Sequence, residues 1–208
     1  MFHVDMRTLG IDVRPIRQAN GQSEFNEVFL TDVRIPDRQR LGPVNGGWRV
    51  ALTTLMNERL AVGSGMPTAF PQIVEFCRRV SIGGRPAIED SLVQARLAHW
   101  AVRDAGLRNT ALRTVSALSQ GREPGPENSI SKLVVGRMLQ EIAGFALELQ
   151  GPEAVCGDRY FESVLLRAPA VRIEGGTDEI LRNIIAERVL GLPPEIRVDK
   201  DRPFAPSN

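Results

Sequence analysis

The stretch from Asp90 to Gln120 constrains this chain most, because Val93, Leu97, Trp100, Leu107, Ala111, Val115 and Leu118 recur at helical spacing along it. Asp104 is the single interruption of that face, so the pattern predicts one long helix lying against a core. The loop Gly121-Arg122-Glu123-Pro124-Gly125-Pro126 ends it. Asn128 or Ser129 is placed to cap a following helix, in which Ile130, Val134, Met138, Ile142, Phe145 and Leu149 align. Upstream, Trp48 to about Val62 has no proline and fits a helix, while Gly63, Gly65, Pro67 and Pro71 interrupt it before a second piece through Arg79. A last amphipathic helix starts at Thr177-Asp178-Glu179. Four principal helices joined by short loops predict a mainly α chain, folded as an antiparallel four-helix bundle.

The first part of the chain differs in character. Ile11-Asp12-Val13-Arg14 and Phe25-Asn26-Glu27-Val28-Phe29-Leu30 read as strands around an Asn20-Gly21-Gln22 turn, with Asp32 and Pro36 closing the unit before a change near Asn45. This short β portion is expected to precede the bundle. With 208 residues, 42% hydrophobic content and a formal charge of +1, the chain can bury one sizeable core. Nucleic acid is not an expected partner, since Lys and Arg are dispersed and aromatics are 5%. Neither a membrane span nor a signal-peptide pattern is present in the sequence, and Cys77 and Cys156 lie far apart without metal-ligand spacing. They read as free thiols of a cytoplasmic protein that holds no metal.

The segment Arg172-Ile173-Glu174-Gly175-Gly176-Thr177-Asp178-Glu179-Ile180 turns a Gly-Gly pair into a helix start. The unpaired N–H groups of a first helical turn carry partial positive charge, and Gly175 and Gly176 remove the side chains that would block a bound group. Such a terminus can receive an anion or an electron-rich ring, with Thr177 or Asp178 as cap. A plain capped turn has the same pattern.

Together with the continuation Val189-Leu190-Gly191-Leu192-Pro193, this run resembles the C-terminal signature of the flavin-dependent acyl-CoA dehydrogenases. The resemblance covers nearly the whole chain: Phe25-Asn26-Glu27-Val28-Phe29, Val33-Arg34-Ile35-Pro36 and Gly46-Gly47-Trp48 resemble the crossing from that family's middle β-domain into its C-terminal bundle. It implies three regions: 1–45 as the last strands of the middle domain, 46–194 as the complete bundle and 195–208 as a tail. The family's N-terminal domain and first middle-domain strands have no counterpart here, and Met1 falls inside what resembles a β-strand, which implies a fragment or a misplaced start.

What the resemblance implies chemically is removal of an α-proton and a β-hydride from an acyl-CoA thioester, with FAD as hydride acceptor. One carboxylate must work as base in a dry pocket. Family members carry it either immediately before the Gly-Thr of the signature or on the first bundle helix. Aligning Gly176-Thr177-Asp178-Glu179-Ile180 on the signature puts Gly175 at the usual glutamate position and Glu174 at an aromatic one, so the usual position is vacant. Glu58, in Asn57-Glu58-Arg59-Leu60-Ala61-Val62, then matches the first-helix glutamate of the isovaleryl and long-chain types. Ala51, Leu55, Glu58 and Val62 fall on one helical face, and desolvation in an apolar stripe raises a carboxyl pKa and makes a better base. The bland reading of Glu58 is an ion pair at the bundle surface.

Arg59 follows as the arginine beside the base, and with Gly175 it is assigned to the substrate. For the cofactor, Arg79-Val80-Ser81-Ile82-Gly83 resembles the element whose arginine reaches the flavin pyrophosphate of a neighbouring subunit, with Arg78 as a substitute. Gly176, Thr177 and Glu179 match signature positions that contact flavin, while Glu148-Leu149-Gln150-Gly151-Pro152 keeps only Gly151 of a motif that packs near the adenosine. The resemblance further implies electron-transfer flavoprotein or a similar acceptor as partner, and a homo- or hetero-oligomer formed through the bundle. The other class of function is a non-catalytic helical subunit, or truncated fragment, that completes a full-length dehydrogenase.

Overall fold

The computed structural model describes residues 1–55, 67–122, 125–152 and 159–196. Two strands open the chain, β1 (Ile11–Ile16) and β2 (Phe25–Leu30), paired antiparallel from Ile11 opposite Leu30 to Ile16 opposite Phe25. The Asn20-Gly21-Gln22 turn forms as the sequence predicts: Gly21 takes φ +80°, and the Gln18 N–H donates to the Gln22 carbonyl at 2.8 Å. Residues 47–55 begin the first helix, α1, whose predicted continuation to Val62 lies outside the described residues. Then come α2 (Phe70–Arg79), a small hairpin of β3 (Ser81–Ile82) and β4 (Arg85–Pro86), α3 (Ser91–Ser119), α4 (Asn128–Gln150), α5 (Arg159–Val171) and α6 (Asp178–Ile184). A π-helical turn at Ile185–Val189 continues α6. Pro71, expected to break a helix, sits in the first turn of α2, where a missing N–H costs nothing.

The core gathers one stripe from each long helix: Ile73, Phe76 and Cys77 of α2, Val93, Leu97 and Trp100 of α3, and Phe161, Ala168 and Val171 of α5. They surround α4, which is buried on several sides through Val135, Met138, Leu139, Ile142, Ala143 and Ala146 rather than along a single stripe. Phe76 meets Phe161 edge to face at 5.2 Å, and Trp100 meets Phe145 at 5.4 Å. Fully burying an aromatic or large aliphatic side chain contributes about 1.5–3 kcal/mol each, so this cluster dominates the stability of the bundle.

Asp90 caps α3 through its carboxylate, accepting from the Leu92 and Val93 N–H groups at 2.8 and 3.2 Å. Asp104, the one polar residue in the predicted stripe, is buried and accepts from the Thr68 hydroxyl at 2.6 Å, which ties the approach to α2 onto α3. The stripe itself extends further than the core does. Val115 and Leu118 are 58% and 48% exposed, because Thr114 already stands opposite Asn128 in the first turn of α4 and the end of α3 runs past its neighbour. Nor do Asn128 and Ser129 cap α4: both are buried, Glu127 occupies the cap position without a side-chain bond, and the Asn128 side-chain Oδ1 accepts from the Thr114 hydroxyl at 3.0 Å. Among the described residues no helix is long and apolar enough to cross a membrane.

Candidate functional site

The segment joining α5 to α6 is set by two glycines in left-handed conformations, Gly175 at φ +63° and Gly176 at φ +113°, values that disfavour any residue with a Cβ. Thr177 ends the turn with extended backbone and caps α6, its hydroxyl oxygen accepting from the Ile180 N–H at 3.3 Å. Asp178 turns the other way. It is 2% exposed, and its Oδ2 accepts a hydrogen bond from Arg172 Nε at 2.8 Å, with Arg172 Nη2 at 2.7 Å and Arg137 Nε at 3.7 Å in ion-pair range. Its own N–H donates to the Arg172 carbonyl, so residues 172–178 close into a compact loop.

Four of the predicted site residues, Gly175, Gly176, Thr177 and Glu179, therefore share one turn. The N–H groups of Gly175, Gly176 and Thr177 have no acceptor among the described residues, and beyond Gly175 there is open space. The exposed Glu179 carboxyl is held below its usual range by hydrogen bonds from its own backbone N–H and from Thr177, with the Arg182 charge adding to them. Glu58 and Arg59 lie outside the described residues.

Glu174 is engaged elsewhere. Arg167 of α5 holds both its oxygens, at 2.9 and 3.1 Å, and also reaches Glu24 at the start of β2 at 2.9 Å, with its guanidinium 5.9 Å from the Phe25 ring. Burial pulls the Arg167 guanidinium down, but the Glu174 and Glu24 carboxylates outweigh it and hold it above its usual value. Both oxygens of this carboxylate are thus taken up in an ion pair with Arg167.

Arg79 stands apart from this turn, exposed at the end of α2, with only a 3.4 Å contact from Nε to the Glu75 carbonyl. Arg78 is already paired with Glu75, which leaves Arg79 as the guanidinium available to a phosphate. Beside it, Ile82 of β3 and Glu148 and Leu149 of α4 line one open groove with Leu92, Arg96 and Phe145. The two sequence elements compared with flavin-binding motifs, far apart in the chain, thus meet at one place. The donors present suit the two ends of a flavin dinucleotide separately: N–H groups without an acceptor among the described residues, and open space at Gly175, for a ring, and at another place the exposed Arg79 guanidinium for a pyrophosphate.

Lys132, Gln140, Arg167 and Arg172 hold this arrangement and are not among the predicted site residues. The Lys132 ammonium donates to the Gly176 carbonyl, and Arg172 Nη1 donates to the Gln140 side-chain oxygen at 2.7 Å. Lys132 carries a signal in the sequence, since it and Lys200 are the two lysines of the chain.

Comparisons with known proteins agree with this geometry. The family described as "Acyl-CoA dehydrogenase, C-terminal domain" matches residues 45–190. Acyl-CoA dehydrogenase FadE34 of Mycobacterium tuberculosis is 37% identical over 192 residues, covering 92% of this chain and 26% of the relative. Acyl-CoA dehydrogenase IpdE1 of Mycolicibacterium smegmatis is 36% identical over 196 residues, covering 90% and 47%. The chain thus spans from a quarter to a half of the length of these relatives. Among solved structures, a glutaryl-CoA dehydrogenase of Mycobacterium smegmatis in complex with FADH2 superposes with a TM-score of 0.79 at 20% identity, over 94% of this chain and 52% of the other. The ChsE4-ChsE5 complex of Mycobacterium tuberculosis superposes with a TM-score of 0.76 at 24% identity, over 92% and 52%. On the helical fold, the signature turn and the family match together, the chain belongs to the acyl-CoA dehydrogenases, of which it carries the C-terminal domain.

Proposed function

We propose that this chain supplies the helical half of a flavin-dependent acyl-CoA dehydrogenase, acting within an assembly that completes the flavin site. The observation that carries this reading is the Gly-Gly-Thr turn, whose N–H groups have no acceptor among the described residues, with open space where a side chain at Gly175 would lie, in a chain of this family. Bound FAD would supply hydride acceptance. Glu58 takes the α-proton, Arg59 holds the acyl-CoA or orients that carboxylate, and Gly175 leaves the acyl thioester room. Gly176, Thr177 and Glu179 line the flavin, and Arg79 reaches its pyrophosphate. Residues 1–45 act as the edge of a β-domain, 46–194 as the bundle and 195–208 as a tail. Electron-transfer flavoprotein or a similar carrier takes the electrons. The Arg167 clamp on Glu174 supports Glu58 over Glu174 as base.

Anaerobic stopped-flow bleaching of the flavin by acyl-CoA, in a complete assembly, tests the assignment. Glu58→Gln should slow bleaching by about a hundredfold to ten-thousandfold, and Glu174→Gln far less. The reverse order would move the base to Glu174. A second reading, a non-catalytic subunit that completes a dehydrogenase partner, is favoured by the exposed apolar residues of β1, β2 and α1. If neither substitution slows bleaching, that reading replaces the first. The isolated chain is expected to retain far less than one equivalent of flavin through gel filtration, since half a site leaves most of the cofactor uncontacted.

A further inference from the structure

In a chain that otherwise meets its need for cations almost entirely with arginine, one of its two lysines is buried inside the bundle. Lys132 is 5% exposed, and its ammonium donates to the carbonyl of Gly176, in the middle of the signature turn. Burial lowers its pKa, the charges of Asp178 and Glu174 act the other way, and Arg172 adds to the lowering. Lys132 is also the first of three α4 residues spaced by four that receive residues 172–176. Gly136 is the second: a Cβ there would lie 2.9 Å from the Arg172 side chain, so only glycine allows the end of α5 to come this close. Gln140 is the third, holding Arg172 by its side-chain oxygen.

A neutral donor would be enough merely to fix a turn, and burying an ammonium costs several kcal/mol before its partners are counted. What a cation adds is polarisation. A carbonyl that accepts from an ammonium makes the N–H of the same peptide a stronger donor. Here that N–H belongs to Thr177 and has no acceptor among the described residues. We propose that Lys132 is a positioning residue: by gripping the Gly176 carbonyl it fixes the direction of the 176–177 peptide and strengthens the Thr177 N–H as a donor toward the ligand face. The inference rests on the reading that this turn faces a ligand. Glu58 takes no part in it.

The test uses the 208-residue chain labelled with ¹⁵N and needs no flavin, so its failure is separate from failure of the dehydrogenase reading. In Lys132→Met the Thr177 amide proton should move upfield, and the ¹⁵N order parameters of Gly175 to Thr177 should fall from the range of rigid backbone toward that of a flexible loop. Amides inside α3 and α5 should hold. Lys132→Arg, which keeps the charge and a donor, should bring the turn at least halfway back. No change in the turn with Lys132→Met overturns the proposal. So does a uniform change across the bundle that Lys132→Arg fails to reverse, because that is a packing role only. If Lys132→Met does not fold, the ammonium ¹⁵N signals of the wild-type chain decide: a Lys132 signal distinct from Lys200 and slow to exchange supports the grip, and two indistinguishable, fast-exchanging lysines refute it.

Discussion

Around α4 the apolar residues of four helices face one another, and several polar side chains among them are paired across elements: Thr68 with Asp104, Thr114 with Asn128, Arg172 with Asp178. In the hairpin of β1 and β2 and along α1 the opposite holds. Val13, Ile16, Phe25, Val28 and Phe29 are exposed, Trp48 is 73% exposed, and Leu52 and Leu55 stand in solvent beside it. Both regions have the composition of a core, and only one is assembled into one. The antiparallel pair turns apolar residues to water and is held to the bundle by Arg167 through Glu24 and Phe25, an arrangement typical of interaction surfaces.

This contrast can be broken by stability measurements, with urea midpoints compared at constant slope. Phe161→Ala empties the centre of the bundle and should cost about 3–5 kcal/mol. A cost near that of an exposed aromatic would mean the α2–α5 contact is loose. Asp178→Ala leaves the half-buried Arg172 without its counter-ion, and should cost about 2–3 kcal/mol and loosen the Gly175–Thr177 turn. Thr68→Val removes the hydroxyl bonded to Asp104 Oδ1, leaving Asp104 only its Arg108 contact at Oδ2, and should cost about 1–2 kcal/mol. Phe25→Ala on the hairpin should cost under about 1 kcal/mol in the chain alone. The same substitution should cost clearly more in a complete assembly, and equal values in both settings would show that nothing covers this face.

The smallest effect is chemical rather than thermodynamic. Burial pushes the Cys77 thiol up to about 11, so at pH 8 it stays protonated and out of reach of alkylating reagents. Peptide mapping should find Cys77 labelled only after denaturation. Rapid labelling of the native chain would mean that α2 opens readily.

The sequence alone determined the features whose causes are local. The period of Val93, Leu97 and Trp100 made α3 a helix, Asn20-Gly21-Gln22 closed the hairpin in its register, and Gly175-Gly176-Thr177 made a turn with a threonine cap. Each depends on residues a few positions apart, and backbone sterics or one short hydrogen bond decides it. Tertiary structure decided where these features lead. Val115 and Leu118 continue the stripe of Val93 in sequence but lie beyond the point where α4 begins, so the same periodicity gives core at one end and open surface at the other. Asn128 has the chemistry of a cap and serves Thr114 instead, because α3 passes within reach of it. Glu174 has the chemistry of a base and is taken by Arg167, seven residues earlier, which comes within reach because the chain leaves α5 at Val171. Lys132 reaches Gly176 across 44 positions. No periodicity links those two residues; the packing of α5 into the gap at Gly136 brings them together.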